Sequence, residues 1–180
     1  MCENHRFFSY LCYTMLNIEN FIDEIIPPSD YQHRDGFSNT QSIDKLDEQE
    51  KKLVEDALIC RFSTDDPDTL IIDTLLYLRS EKAIPLFYDA LQISSSAMIK
   101  LIIGTSIYEL NKDADMINTC ILSVGELEKN RAYYMYNLPT AFYYLAKTHN
   151  EKLNLLIGKY VNHKEYLISY NAKRHFRRNP

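Results

Sequence analysis

Two histidines each stand two residues before a glutamate, a spacing that occurs in the metal site of zinc-dependent deaminases. They are His149, before Glu151, and His163, before Glu165. In those enzymes a Pro-Cys-x-x-Cys stretch supplies the remaining zinc ligands, and this chain contains no such stretch. The four cysteines stand 10, 48 and 60 residues apart, too far for metal-ligand pairs. The sequence therefore predicts no metal site and no cofactor.

Motifs for phosphate binding and for nucleophilic catalysis are also missing. The four glycines stand alone in the sequence, so no Gly-rich phosphate loop and no Gly-x-Ser-x-Gly nucleophile turn can form. The carboxylate pairs Asp65 with Asp66 and Asp113 with Asp115 lie where helix turns are expected, and capping of helix ends explains them. We therefore expect a protein that is not an enzyme.

Apolar residues recur every three to four positions between residues 70 and 127, which is the period of an amphipathic helix. Short polar stretches interrupt the apolar stripe at residues 80–82, 94–96 and 111–113, so the helices should form antiparallel hairpins. The apolar positions of the successive helices are Ile71, Leu75 and Leu78; Ala83, Phe87 and Leu91; Met98, Leu101, Ile102 and Ile107 or Tyr108; and Met116, Ile117, Cys120, Ile121 and Val124.

The turn pattern repeats along the chain. Aligning Leu78 with Leu110 superimposes two turn segments at a period of 32 residues, and Leu145 opens a third copy 35 residues later. Such self-similarity is typical of helical hairpin repeats.

The stretch Leu-Arg-Ser-Glu-Lys-Ala-Ile-Pro-Leu-Phe, residues 78–87, resembles the turn and second helix of HEAT-like repeats. The proline occurs in this copy only, and the resemblance is strong over about 40 residues and compatible with the remaining helices to residue 176. The resemblance implies an all-α fold, a short right-handed α-α superhelix of antiparallel hairpins. It also implies a scaffold that binds other proteins on a concave surface formed by the second helices of the hairpins.

At 180 residues the chain is expected to form one domain. Its predicted parts are an N-terminal helix to residue 26, a loop at 27–43, hairpin repeats at 44–176 and a tail at 177–180. Within the repeats, the helix predicted at 44–62 has Leu46, Leu53, Ala57 and Cys60 as its apolar side. Three of the cysteines lie within apolar stripes, as reduced core cysteines do, which favours a cytoplasmic protein. No apolar run is long enough for a membrane span.

Two segments leave alternatives open. Residues 29–42 show no period, so this stretch is either disordered or contacts a partner through Tyr31, Arg34 and Phe37. Residues 132–146 contain five of the 14 tyrosines and Pro139, at which a helix would kink or end. These tyrosines either fill the core or form a recognition surface, because tyrosine provides a large contact area at a small entropic cost.

Charge is distributed unevenly along the chain. Residues 1–80 hold 16 acidic and 7 basic side chains, whereas residues 81–180 hold 9 and 13. An acidic surface attracts a basic partner rapidly. The sequence thus favours a non-catalytic protein-binding module, and a specific form of this hypothesis is an immunity protein or antitoxin that masks a basic toxin. The candidate contact residues are Tyr88, Asp89, Tyr133, Tyr136, Asp65, Asp66 and Asp113.

The alternative is a nucleic-acid-binding or DNA-repair protein, similar to glycosylases on a HEAT-like scaffold. Lys159, Lys173 and Arg174 would supply its phosphate contacts. A pI near 5.5 makes this alternative the weaker one.

Overall fold

The computed structural model describes residues 18–130 and 132–176, and all regular structure in these residues is helical. The predicted all-α class is therefore confirmed. The helices are α1 (18–25), α2 (Tyr31–Arg34), α3 (Thr40–Ile43), α4 (Glu48–Arg61), α5 (Thr69–Tyr77), α6 (Ala83–Ile93), α7 (Ala97–Asn111), α8 (Asp115–Lys129), α9 (Tyr134–Lys147), α10 (Glu151–Gly158) and α11 (Tyr166–His175).

Helix α7 lies at the centre of the molecule and packs against α5, α6, α8 and α9. Its residues 101–107 are all buried, so it is enclosed on every side, whereas the sequence predicts one apolar face. Small residues make this possible. Gly104 lies so close to α8 that an added Cβ would stand 3.3 Å from the Cys120 Sγ. The Thr105 and Ser106 hydroxyls donate to the Ile102 carbonyl at 2.8 and 2.9 Å, so neither buried hydroxyl lacks a partner.

The odd-numbered helices from α5 onward lie side by side, since α7 packs on α5 and α9, and α9 packs on α11. Contacts at their carboxyl ends show that they run in the same direction. Arg79, after α5, donates to the Glu109 carbonyl near the end of α7 at 3.4 Å. The rings of Tyr143 and His175, near the ends of α9 and α11, are 6.1 Å apart. Four helices thus place their carboxyl ends at one side of the molecule.

The turns that reverse the chain at this side use residues other than glycine. Arg79 adopts a left-handed conformation with φ 55°, and the amides of Arg79 and Ser80 donate to the Leu76 and Leu75 carbonyls, each at 3.0 Å. This is the hydrogen-bond pattern of a Schellman cap. Lys112 and His149 adopt the same region, with φ 60° and 53°. No glycine in the sequence therefore marks these three left-handed positions.

The segment at 27–43, predicted as a loop without period, contains the short helices α2 and α3, so that prediction is wrong in part. Two polar side chains fix it to the rest of the molecule. The Arg34 guanidinium donates to both carboxylate oxygens of Asp68 at 2.6 Å and to the Pro27 carbonyl. The buried Asn39 amide donates to the Ile25 carbonyl at 3.1 Å and to the Thr74 hydroxyl at 2.7 Å. Polar contacts of this kind leave no hydrophobic period in the sequence.

The apolar face predicted for the helix at 44–62 is wrong in part, although Leu46 and Ala57 pack against the core. Val54 and Leu58 are the buried residues, while Leu53 is 42% exposed and Cys60 is exposed. Two overlapping apolar stripes run along this helix one residue apart, and the periodicity alone does not decide between them. The helix begins at Glu48 because Asp47 and Glu50 form a reciprocal capping box.

Cys120 is a buried free thiol, as predicted, and burial raises its pKa to about 12. Cys2 and Cys12 lie outside the described residues, as do residues 1–17 of the predicted N-terminal helix and the predicted tail at 177–180.

Candidate binding site

Tyr88 and Asp113, two of the predicted contact residues, meet in the structure. The Tyr88 hydroxyl, on α6, donates to the Asp113 carboxylate in the turn between α7 and α8. This hydrogen bond raises the pKa of Tyr88 and lowers the pKa of Asp113. Asp113 also accepts from the Asp115 amide at 2.9 Å, although the N-cap residue of α8 is Ala114. Asp89, the next residue on α6, is exposed.

The remaining predicted contact residues are all exposed, but no hydrogen bond or ion pair among the described residues joins them to one another. Asp65 and Asp66 lie in the connection before α5. Tyr133 and Tyr136, at the start of α9, are 62% and 64% exposed.

The tyrosine-rich segment is partly buried and partly exposed, so the core interpretation holds for part of it and the recognition surface stays a prediction. Helix α9 continues through Pro139. Tyr144 is only 7% exposed and belongs to the core, whereas Tyr133, Tyr136 and Tyr143 follow one exposed stripe.

A cleft of about 530 Å³ opens between the carboxyl ends of α5, α7, α9 and α11. Its lining includes Asp73, Tyr77, Glu109, Tyr143, Lys147 and His175. Each helix carboxyl end bears about half a negative charge from its aligned peptide dipoles. The cleft therefore favours positively charged groups, and the chain's own Arg79 and Lys147 lie there.

At one wall of this cleft, a carboxylate and two aromatic rings surround an ammonium group. The Tyr144 hydroxyl donates to Asp73 Oδ2 at 2.8 Å. The Lys147 Nζ lies 4.2 Å from the centre of the Tyr143 ring, 5.2 Å from that of Tyr144 and 3.8 Å from Asp73 Oδ1. We call Asp73, Tyr143, Tyr144 and Lys147 the ammonium cage. Its chemistry is that of cation recognition.

Asp73 is imperfectly paired within the ammonium cage. Its Oδ1 atom is buried and accepts no hydrogen bond, because the Lys147 ammonium is too distant to donate one. Burial raises the pKa of Asp73, although Lys147 and the Tyr144 hydroxyl act in the opposite direction. Burial and the charge of Asp73 in turn raise the pKa of Tyr144.

The raised pKa of Asp73 predicts a pH-dependent loss of stability. The folded state binds this proton more tightly than the unfolded chain, so its stabilising effect is complete below the unfolded-state pKa of about 4 and is lost as pH rises through the folded-state pKa. Asp73→Asn replaces the titrating carboxyl group with an amide that stays uncharged at every pH tested. Urea unfolding at low and neutral pH should show that the free energy of unfolding of the variant improves relative to wild type as pH rises. A relative change in the other direction would contradict the assignment.

A second groove, of about 610 Å³, adjoins the cleft and shares Tyr77 and Arg79 with it. It lies between α4 and the turn that joins α5 to α6. The Tyr77 hydroxyl donates to Asp44 at 2.5 Å, and the buried Ser80 hydroxyl donates to Glu55 at 2.5 Å. The groove connects the cleft to the acidic part of the molecule.

Residues 18–68, which we call the acidic end, carry fourteen acidic and five basic side chains. Twelve of the fourteen carboxylates are exposed, and only Glu55 and Asp68 are partly buried. The same segment also has exposed apolar side chains: Tyr31 is 79% exposed, Leu53 42% and Phe37 37%. The acidic end thus combines a high negative charge with apolar contact area.

Sequence reasoning missed the ammonium cage. Asp73 and Tyr144 are 71 residues apart in the chain, and only the side-by-side packing of parallel helices brings them together. The one available signal is that Asp73 interrupts an apolar run, with Ile71, Ile72 and Leu75 around it.

No protein-family model, curated protein or solved structure gives a significant match to this chain. Within residues 18–130 and 132–176, no group of histidine, cysteine and acidic residues is arranged to hold a metal ion. None of the helices in this part of the chain has the length and hydropathy needed to cross a bilayer.

Proposed function

We propose that this chain is a non-catalytic protein-binding module whose acidic end holds a basic partner protein. The observation that carries this proposal is the exposure of residues 18–68, a segment that contains twelve exposed carboxylates together with exposed Tyr31, Phe37 and Leu53. Opposite charge accelerates the encounter of two proteins. The apolar side chains supply contact area that becomes buried on binding, which is where most interface energy resides.

Ion pairs neutralise only part of this surface. Asp23 pairs with Arg61, Glu48 with Lys51, and Asp56 with Lys82. Among the described residues, no salt bridge involves Asp65 or Asp66. Their charges are therefore available to a partner. In a specific form of the proposal the partner is a basic toxin, and the chain is the immunity protein or antitoxin that masks it.

The helices are arranged, in this proposal, as a short right-handed α-α superhelix of the HEAT-like kind. The contacts between helices support it. Helices α5, α7, α9 and α11 pack side by side in that order and form one layer, and α8 and α10 contact each other in a second layer. The cleft is lined by the first helices of the hairpins. The second helices, which were expected to form the binding face, therefore do not line it.

Affinity capture from the native lysate tests the proposal. The tagged chain should retain one basic protein in near-stoichiometric amount, and mass spectrometry would identify it. Retention of no protein above a tag-only control would contradict the proposal.

Helix α11 favours a second candidate function, nucleic-acid binding. The Tyr166 and Tyr170 rings stack at 5.8 Å and are 77% and 50% exposed. Lys173 and Arg174 follow in the last turn of the same helix. Exposed aromatic rings beside cations suit stacked bases and phosphates. Nuclease-sensitive retention in the same capture experiment would favour this candidate.

A further inference from the structure

The ammonium cage has the groups that bind a cation, but its contacts with the Lys147 ammonium are incomplete. Two tyrosine rings and a carboxylate form it, and four helix carboxyl ends border the cleft at whose wall it lies. Its present occupant, Lys147, keeps 38% of its side chain exposed and leaves Asp73 Oδ1 without a hydrogen bond. An unsatisfied buried acceptor destabilises the folded state. A group that donated to Asp73 Oδ1 would remove that destabilisation.

An arginine side chain has the chemistry to do so. Its planar guanidinium carries five donors, so it can bond to a carboxylate while its face stacks on an aromatic ring. Lys147 lies in the last turn of α9, partly exposed, where a long flexible side chain can swing toward solvent. The cleft of about 530 Å³ provides access to the cage.

We propose that the ammonium cage is a subsite for an arginine side chain of the basic partner, whose guanidinium displaces the Lys147 ammonium and donates to Asp73. This inference rests on the proposed function, since it names the group by which the partner would be recognised. The location supports it, because the groove that shares Tyr77 and Arg79 with the cleft joins the cage to the acidic end. Residues of the acidic end and residues of the cage therefore line two adjoining depressions of the surface.

The test is an NMR titration of the isolated chain with the blocked tripeptide acetyl-Gly-Arg-Gly-amide. Saturable shifts should appear at amides beside the cage, including those of Thr74 and Ala146. The matched peptide with citrulline, which is isosteric but uncharged, should leave these signals unchanged. Shifts that fail to saturate or that occur only at the acidic end would overturn the proposal, as would equal binding of both peptides.

Two lysine variants distinguish binding of the peptide in the cage from a general effect of the protein's charge. Lys147→Ala vacates the cage and should tighten tripeptide binding by about fivefold or more, because no ammonium has to be displaced. Lys152→Ala removes the same charge from an exposed position on α10 and should change binding less than twofold. Equal effects of the two variants would contradict the displacement.

Two further variants test the groups that would hold the guanidinium. Asp73→Asn should weaken binding about tenfold. Tyr143→Leu should weaken tripeptide binding about threefold. Because Tyr143 is half-exposed, this substitution should leave the fold intact, and it therefore tests the cage even if Asp73→Asn fails to fold. The titration needs no partner protein. Tripeptide binding without a captured partner would therefore count against the proposed function alone, and a captured partner without tripeptide binding would count against the subsite alone.

Discussion

Replacing Phe87 with alanine is expected to lower the free energy of unfolding by about 4 kcal/mol. Phe87 is fully buried on α6, and its ring lies 5.6 Å from that of Phe62. Helix α6 packs against the central α7, so truncation would leave a cavity between two helices that cannot easily close. Urea unfolding followed by circular dichroism would measure the loss.

The control lies on the same helix. Ile93 is 56% exposed, and Ile93→Ala should change the free energy of unfolding by less than about 0.5 kcal/mol. Similar losses for the two variants would mean that α6 does not present the face formed by Ala83, Phe87 and Ala90 to the core.

Reversing charge at the acidic end is expected to slow partner association strongly. The double variant Asp65→Lys/Asp66→Lys changes the local charge by four units at exposed positions. The association rate constant at low salt should fall about tenfold or more, while the dissociation rate changes less, because steering charges act mainly before contact. Surface plasmon resonance with the captured partner would report both rates, and the effect should shrink as salt is raised.

The matched control reverses two exposed carboxylates outside the acidic end, Glu126 on α8 and Glu151 on α10. Glu126→Lys/Glu151→Lys produces the same change in net charge and should slow association much less. An unchanged association rate for Asp65→Lys/Asp66→Lys at low salt would contradict the acidic end as the docking surface.

Hydrophobic periodicity predicted the helices of the second half well because most of them have one apolar stripe. It predicted α6 correctly at Ala83 and Phe87, which are fully buried. It could not predict that α7 is enclosed on all sides. That property depends on Gly104, Thr105 and Ser106, whose small size permits close packing and whose hydroxyls bond within their own helix. In α4 two overlapping apolar stripes lie one residue apart, so periodicity alone does not identify the buried face.

The two parts of the candidate site differ in how far they could be predicted. The acidic end follows from composition, since fourteen of its residues are Asp or Glu. The ammonium cage depends on α5 and α9 lying close enough for Tyr144 to reach Asp73 across 71 residues of chain, and no local pattern encodes that distance. The order in the segment at 27–43 likewise depends on distant partners, Asp68 for Arg34 and Thr74 for Asn39.

The most direct test of the central claim is capture of the tagged chain's partner from nuclease-treated native lysate at low and moderate salt. One basic protein should be retained after nuclease treatment, in an amount that falls as salt increases and falls further with Asp65→Lys/Asp66→Lys. Material lost on nuclease treatment, with no protein remaining, would contradict the central claim and would favour nucleic-acid binding by α11.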